Sequence, residues 1–249
     1  MTSYRFKLRL LCFRHRWVQR VCNVFVGGNL HINYLKTYRE EDAIGPLQRD
    51  EALFLNGLIR VLRPQLLVEF GFSTGHSAYN FLQAMDGQGE LYSYDIAGLS
   101  ASVAQEGFAG FPNFHFLAKS QADFVWDDVG RQPIDFVFID ASHNLELNQK
   151  TLAALLPALS AEAIIAVHDT GTWVKEHFSS KNLEFVAMGG GRWVNESELE
   201  HTREERAFVN WIGGNHPEFQ IIHCHSKNCL RHGLTLLQKK KVLPTSAAY

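Results

Sequence analysis

Residues 66–77, LLVEFGFSTGHS, constrain the fold of this chain more than any other stretch. Leu66, Leu67, Val68, Glu69 and Phe70 read as a buried strand. Gly71, Ser73 and Gly75 follow, and residues 76–85 are compatible with a helix. A buried strand, a tight glycine turn and a helix start together form the leading edge of a nucleotide-binding α/β unit. The glycines let the backbone approach a ligand with no Cβ in the way. The helix amino terminus behind them offers N–H groups that have no intrahelical partner.

The spacing is not the dinucleotide fingerprint. G-x-G-x-x-G would need glycine at Ser73 and at His76. Instead an acid, Glu69, stands two residues before the first glycine. A carboxylate there repels a pyrophosphate and suits a ligand that is cationic near this loop. A second strand, residues 91–95 (LYSYD), ends in Asp95, 24 residues after Gly71. An acid at that place can accept from two ribose hydroxyls. The two acids describe a nucleoside with a positive, amine-bearing group and no phosphate, and S-adenosylmethionine (SAM) fits that description.

These motifs are similar to those of a known family. Glu69, Gly71, Ser73, Gly75 and Ser77, followed by Asp95, resemble the first two motifs of class I SAM-dependent methyltransferases. DFVFIDASH at 135–143 and AIIAVHD at 163–169 resemble a narrower branch with an F-I-D-G-S-H motif and a later H-D pair. That branch includes metal-dependent O-methyltransferases acting on sugars of natural products. Ala141 stands where the branch usually has glycine. The resemblance covers roughly residues 45–238 by strand and helix pattern. It implies a SAM pocket of Glu69, Gly71, Ser73, Gly75, Ser77, Asp95, Ile96, Ser120 and Asp140, and a small hydroxylated acceptor.

The whole pattern predicts an α/β, Rossmann-like sheet of seven strands, mostly parallel, with helices on both faces and a C-terminal antiparallel hairpin. Further strands are expected at 113–117, 135–139, 161–167, 218–225 and 229–238. Helices are expected at 46–62, 100–108, 145–156 and 203–212, with a short one opening at Ser120. Leu47, Leu53, Leu55, Leu58, Ile59 and Leu62 give the 46–62 helix its apolar side; the resemblance implies that this helix covers the SAM pocket, so Gln48 or Glu51 could face substrate, with solvated surface the favoured alternative. Glu69, Asp95, Asp140 and Asp169 all fall at or near strand ends, where ligands sit in such sheets. The glycine run 189–191 and the polar residues 192–202 read as a lid over the substrate side.

The domain organisation expected is a basic extension over 1–44, a methyltransferase domain over 45–240 and a tail over 241–249. The net charge of -2 hides an asymmetry: Arg5, Lys7, Arg9, Arg14, Arg16, Arg20, Lys36 and Arg39 precede the first acid, Glu40. Leu10, Phe13, Trp17, Val21 and Val24 share one helical face in this segment. It reads as a helix packing on the body or on a second subunit to make a homodimer. Peripheral membrane contact is the less favoured alternative, and no nucleic acid is expected. The four cysteines fit no disulfide scaffold, and no apolar run approaches the ~20 residues of a membrane span, so the cytoplasm is the expected compartment.

Methyl transfer from a sulfonium requires alignment of donor and acceptor and a hydroxyl made nucleophilic. Asp140 and Asp169 end neighbouring strands in the expected order, so they could share an Mg²⁺-type ion, a hard cation that wants oxygen ligands. His168 is a poor ligand for such an ion. His143, three residues after Asp140, could act as general base on the substrate side. The alternatives are that His143 caps the next helix or bonds backbone, and that Asp169 only caps the next segment. Two other function classes stay open. Gly71-Phe-Ser73-Thr-Gly75 also matches the nucleophile elbow of an α/β-hydrolase with Ser73 as nucleophile, and a SAM fold can bind without catalysis. His223, Cys224, His225, Cys229 and His232 suggest zinc, but strand alternation puts Cys224 opposite its two neighbours.

Overall fold

In the computed structural model the described residues are 47, 49–170, 204–225 and 233–240. All lie within one compact unit, Ile44–Tyr249. The expectations for residues 1–46, the 171–203 segment, the 226–232 turn with Cys229 and His232, and the tail fall outside the described residues.

Seven strands form one sheet in the order β3-β2-β1-β4-β5-β7-β6. They are β1 (Leu66–Phe70), β2 (Glu90–Tyr94), β3 (Phe114–Leu117), β4 (Ile134–Ile139), β5 (Leu159–Val167), β6 (Phe219–His225) and β7 (Gly233–Lys239). The first five are mutually parallel, and β7 pairs antiparallel with both β5 and β6. The helices are α1 (Arg49–Leu62), α2 (His76–Met85), α3 (Gly98–Gly107), α4 (Leu145–Leu155) and α5 (Glu204–Asn215). This is the Rossmann-like, mostly parallel seven-stranded sheet with a C-terminal antiparallel pair that the alternation of strands and helices predicts. No described helix is long and apolar enough to cross a membrane.

Every residue of β1 is buried, because β2 and β4 flank it and helices cover both of its faces. The core joins Val68, Phe70, Val137, Ile139, Ile165 and Val167 from the three central strands. The strand exits are held level: Gly71 N–H donates to Tyr94 O, Asp140 N–H to Phe70 O and His168 N–H to Ile139 O, at 2.8 to 3.0 Å. The parallel ladder therefore runs one residue past each strand and brings the turns after β1, β2, β4 and β5 to one edge.

One expectation is corrected. The buried side of α1 is Glu51, Ala52, Leu55, Asn56 and Ile59, while Leu53 and Leu62 are exposed. The reason is polar: Asn56 donates to Asn80 Oδ1 on α2 at 3.0 Å, and Asn80 donates to Ala52 O at 2.9 Å. A face that carries satisfied amides is invisible to an apolar count. The last strand is described over Gly233–Lys239, one residue beyond its expected end at Gln238, and its expected start at Cys229 lies outside the described residues.

Candidate active site

The site starts at the glycine turn. Gly71 has φ +101°, and a Cβ there would fall 2.3 Å from Asp140 O. The exit of β1 thus presses on the exit of β4 at a distance only glycine tolerates. Gly75, φ +81°, would set a Cβ 2.5 Å from the Phe108 ring. Between them Ser73 is left-handed without being glycine. That strained turn is secured by Asp95, whose Oδ2 accepts from Ser73 N–H at 2.7 Å and whose Oδ1 accepts from Ala97 N–H at 2.8 Å. A carboxylate with about four acceptor positions has about two remaining after these bonds. Ile96, next in sequence, is a large apolar side chain that is 78% exposed. Ser120 serves as a cap, its Oγ accepting from Ala122 N–H at 3.3 Å.

Glu69 is fully enclosed beneath the turn. Ser77 Oγ on α2 and Ser93 Oγ on β2 both donate to its carboxyl, the latter at 2.5 Å. It therefore ties β1, β2 and α2 together behind the glycines. Burial pushes its pKa up to about 8; the two serine bonds oppose the shift, and Asp140 and Asp95 add to it.

The exits of β4 and β5 carry the acids. Asp140 and Asp169 meet at His168, which is 2% exposed. His168 Nδ1 lies 3.1 Å from Asp140 Oδ1 and 3.4 Å from Asp169 Oδ1, and its Nε2 lies 2.9 Å from Glu51 Oε2. Burial disfavours the imidazolium, yet the Asp140 and Asp169 charges and the bonds to Asp140 and Glu51 outweigh it and hold the pKa well above its ordinary value. His143 is half-exposed, and its Nδ1 is hydrogen-bonded to Glu205 Oε1 of α5. That bond is the first cause of an upward shift of the His143 pKa; burial opposes it, and the charges of Glu205, Asp169 and Asp140 add to it.

The structure thus joins Glu69 with Ser77, Asp95 with Ser73, and Asp140 with Asp169. His143 does not cap the next helix, since Asn144 Oδ1 accepts from Leu147 N–H at the start of α4. Glu51, read from the sequence as solvated, is 4% exposed. Glu205 and Gln121 were both missed, while Glu51 was weighed as facing substrate and set below the solvated reading. Gln121 Nε2 donates to Asn148 Oδ1 at 2.7 Å and Thr151 Oγ1 at 3.0 Å, and its Oε1 accepts from Ser142 N–H at 3.1 Å. This amide network fixes residues 141–144 in place. The sequence signal for Glu51 was its spacing with Ala52, Leu55, Asn56 and Ile59 on one helical face; Glu205 had only its place in the first turn of α5.

For a metal, Asp140, His168 and Asp169 offer one ligand atom each, all within 4.8 Å of one another, and His143, Asp169 and Glu205 do the same. Two carboxylates converging at one point match what a divalent hard cation takes. Both ring nitrogens of His168 are already engaged by carboxylates, Nδ1 by Asp140 and Nε2 by Glu51.

Residues 68–170 match a family described as a methyltransferase domain. No curated protein matches the chain in sequence. Among solved structures, a Staphylococcus aureus protein named as a caffeoyl-CoA O-methyltransferase is similar with TM-score 0.63 at 14% identity, over 90% of this chain and 98% of that one. An O-methyltransferase from Bacillus cereus in complex with S-adenosylhomocysteine gives TM-score 0.57 at 14% identity, over 89% and 96%. The O-methyltransferase TomG from Streptomyces achromogenes, involved in tomaymycin synthesis and in complex with SAM, gives TM-score 0.55 at 15% identity, over 89% and 95%. At these identities the likeness is one of fold.

Proposed function

We propose that this chain transfers the methyl group of SAM to a hydroxyl of a small acceptor of sugar or natural-product type. The observation that carries the reading is the junction at the strand exits. A glycine turn tied to Asp95, with the exposed Ile96 next in sequence, lies on one side, and the acids after β4 and β5 with His143 lie on the other. Donor and acceptor subsites at neighbouring strand ends are what an in-line displacement needs. The S-adenosylhomocysteine and SAM held by two similar structures, and the methyltransferase-domain match over 68–170, support the donor assignment.

In this reading the glycine turn receives the donor, and the remaining lone pairs of Asp95 accept from its ribose. The acceptor oxygen attacks the methyl carbon, the carbon–sulfur bond breaks with its electron pair going to sulfur, and the hydroxyl proton passes to His143 Nε2. Asp140, half-buried at the exit of β4, stands between the two subsites. A divalent cation of the Mg²⁺ type would be held by Asp140 and Asp169 and would lower the pKa of the acceptor hydroxyl. The hydrolase alternative needs a histidine bonded to Ser73, and among the described residues the hydrogen bond of Ser73 is the one its N–H donates to Asp95 Oδ2.

Calorimetric titration with SAM tests the proposal. Saturable one-site binding is expected in the wild type and its loss in Asp95→Ala; absence of SAM binding under every condition sinks the reading. An acceptor screen with Mg²⁺ and with a chelator then decides the metal.

A further inference from the structure

Within the polar network around the site, Glu205 makes a bond to the candidate base that its neighbours on the same helix do not make. Glu205 is the second residue of α5, 5% exposed, and its carboxylate reaches 62 positions back in sequence to the ring of His143. The adjacent Glu204 already docks α5 on α4, its Oε2 accepting from Leu145 N–H at 2.6 Å. Phe208, Val209 and Ile212 already bury α5 in the core. What the Glu205 bond adds is directed at one atom, Nδ1 of a ring that is 51% exposed.

An exposed imidazole rotates about two side-chain bonds and exchanges its proton between two nitrogens. A carboxylate accepting from Nδ1 removes both freedoms. It fixes the ring plane, and it selects the tautomer whose Nε2 carries a lone pair. We infer that Glu205 is a positioning residue for His143, holding its Nδ1–H so that Nε2 is presented to the acceptor hydroxyl. The inference rests on the proposed role of His143 as the group that takes the acceptor's proton. Glu205 is suited to the task because buried, first-turn placement at the amino end of a helix favours a carboxylate there. The groups that act on His143 electrostatically are Glu205, Asp169 and Asp140. Among the described residues, Glu205 is the one of these three that is hydrogen-bonded to the ring, so the orientation is its work.

The test begins without an acceptor. Nitrogen-15 NMR of the full chain, with His143→Gln to assign the signal, reads which ring nitrogen carries the proton in the neutral form. The wild type is expected to carry it on Nδ1, and Glu205→Ala to shift it largely to Nε2, with SAM affinity by calorimetry changed less than about threefold. Should Glu205→Ala fold poorly, Glu205→Gln keeps the shape and an accepting oxygen. It is expected to keep the Nδ1–H tautomer while the His143 midpoint drops towards its ordinary value. An unchanged tautomer in Glu205→Ala, or an unchanged midpoint in Glu205→Gln, overturns the inference. With an acceptor in hand, Glu205→Ala and His143→Ala are each expected to lower kcat roughly 10-fold or more, with KM nearly constant and the double variant no worse than His143→Ala. Losses that multiply, or a rise confined to KM, would mean a purely structural role. Wild-type protein that fails to bind SAM refutes the proposed function and leaves the tautomer result standing.

Discussion

Glu69 is a carboxyl whose charged form the fold disfavours. Its ordinary pKa near 4.5 rises to about 8 on folding, chiefly by burial. The sign comes from linkage: a folded pKa raised above the unfolded one gives stability that is full below pH ~4.5 and lost as pH climbs through ~8. Glu69→Gln is neutral at every pH and retains partners for Ser77 and Ser93. It is expected to flatten the decline of melting temperature between pH 5 and 9, and at pH 9 to exceed wild type by about 1–3 kcal/mol, or several degrees in Tm. A decline as steep as the wild type's would refute this. Gly71→Ala works in the other direction, because its Cβ would meet Asp140 O at 2.3 Å in a left-handed backbone. A loss of about 2–4 kcal/mol in urea unfolding is expected. Both residues were legible as special from the E-x-G-x-S-x-G spacing, but the chemistry assigned to Glu69 was not. The sequence suggested a charge facing a cationic ligand, whereas the side chain is enclosed and bonded to two hydroxyls. Spacing shows that an acid sits at a strand end; which way the pleat turns it depends on how the neighbouring strands pack.

At the level of elements, the helices and strands of the sheet were legible because each central strand is a short apolar run ended by turn residues. The 49–62 helix was legible in extent but not in orientation. Its inward face is held by amides and by Glu51 bonded to His168, and the apolar residues Leu53, Phe54, Val61 and Leu62 stay outside. Hydrophobic periodicity finds a helix's buried face only where apolar packing decides it. The network of Gln121, Asn148, Thr151 and Ser142 escaped for the same reason, since its bonds join positions far apart in sequence. Gln121→Leu leaves the Ser142 N–H and Asn148 Oδ1 without these partners. A loss of about 1–3 kcal/mol is expected, with faster amide exchange at residues 141–144 and little change in exchange at β1. Unchanged exchange in that loop would show that α4 alone holds it.

Over the whole molecule, four strand exits converge on one edge, so a ligand seated there bridges elements that are distant in the chain. If SAM is that ligand, a concentration about 100 times its Kd stabilises the fold by ~2.7 kcal/mol. That corresponds to a rise in Tm of about 5–10 °C at 2–4 °C per kcal/mol. Asp95→Ala is expected to melt without that rise, and an equal rise in the variant would place the donor elsewhere. The sheet order carries a different consequence, for the life of the chain before it is complete. β7 is the last strand made, yet it lies inside the sheet between β5 and β6. A ribosome delivers β5 long before the strand that covers it, and Ala163–Val167 of β5 are apolar and destined for full burial. During synthesis that strand offers an open hydrogen-bonding edge to any other nascent strand nearby. A chain cut before Gly233 is therefore expected to associate through β5, read as light scattering at micromolar concentration, where the intact chain stays clear.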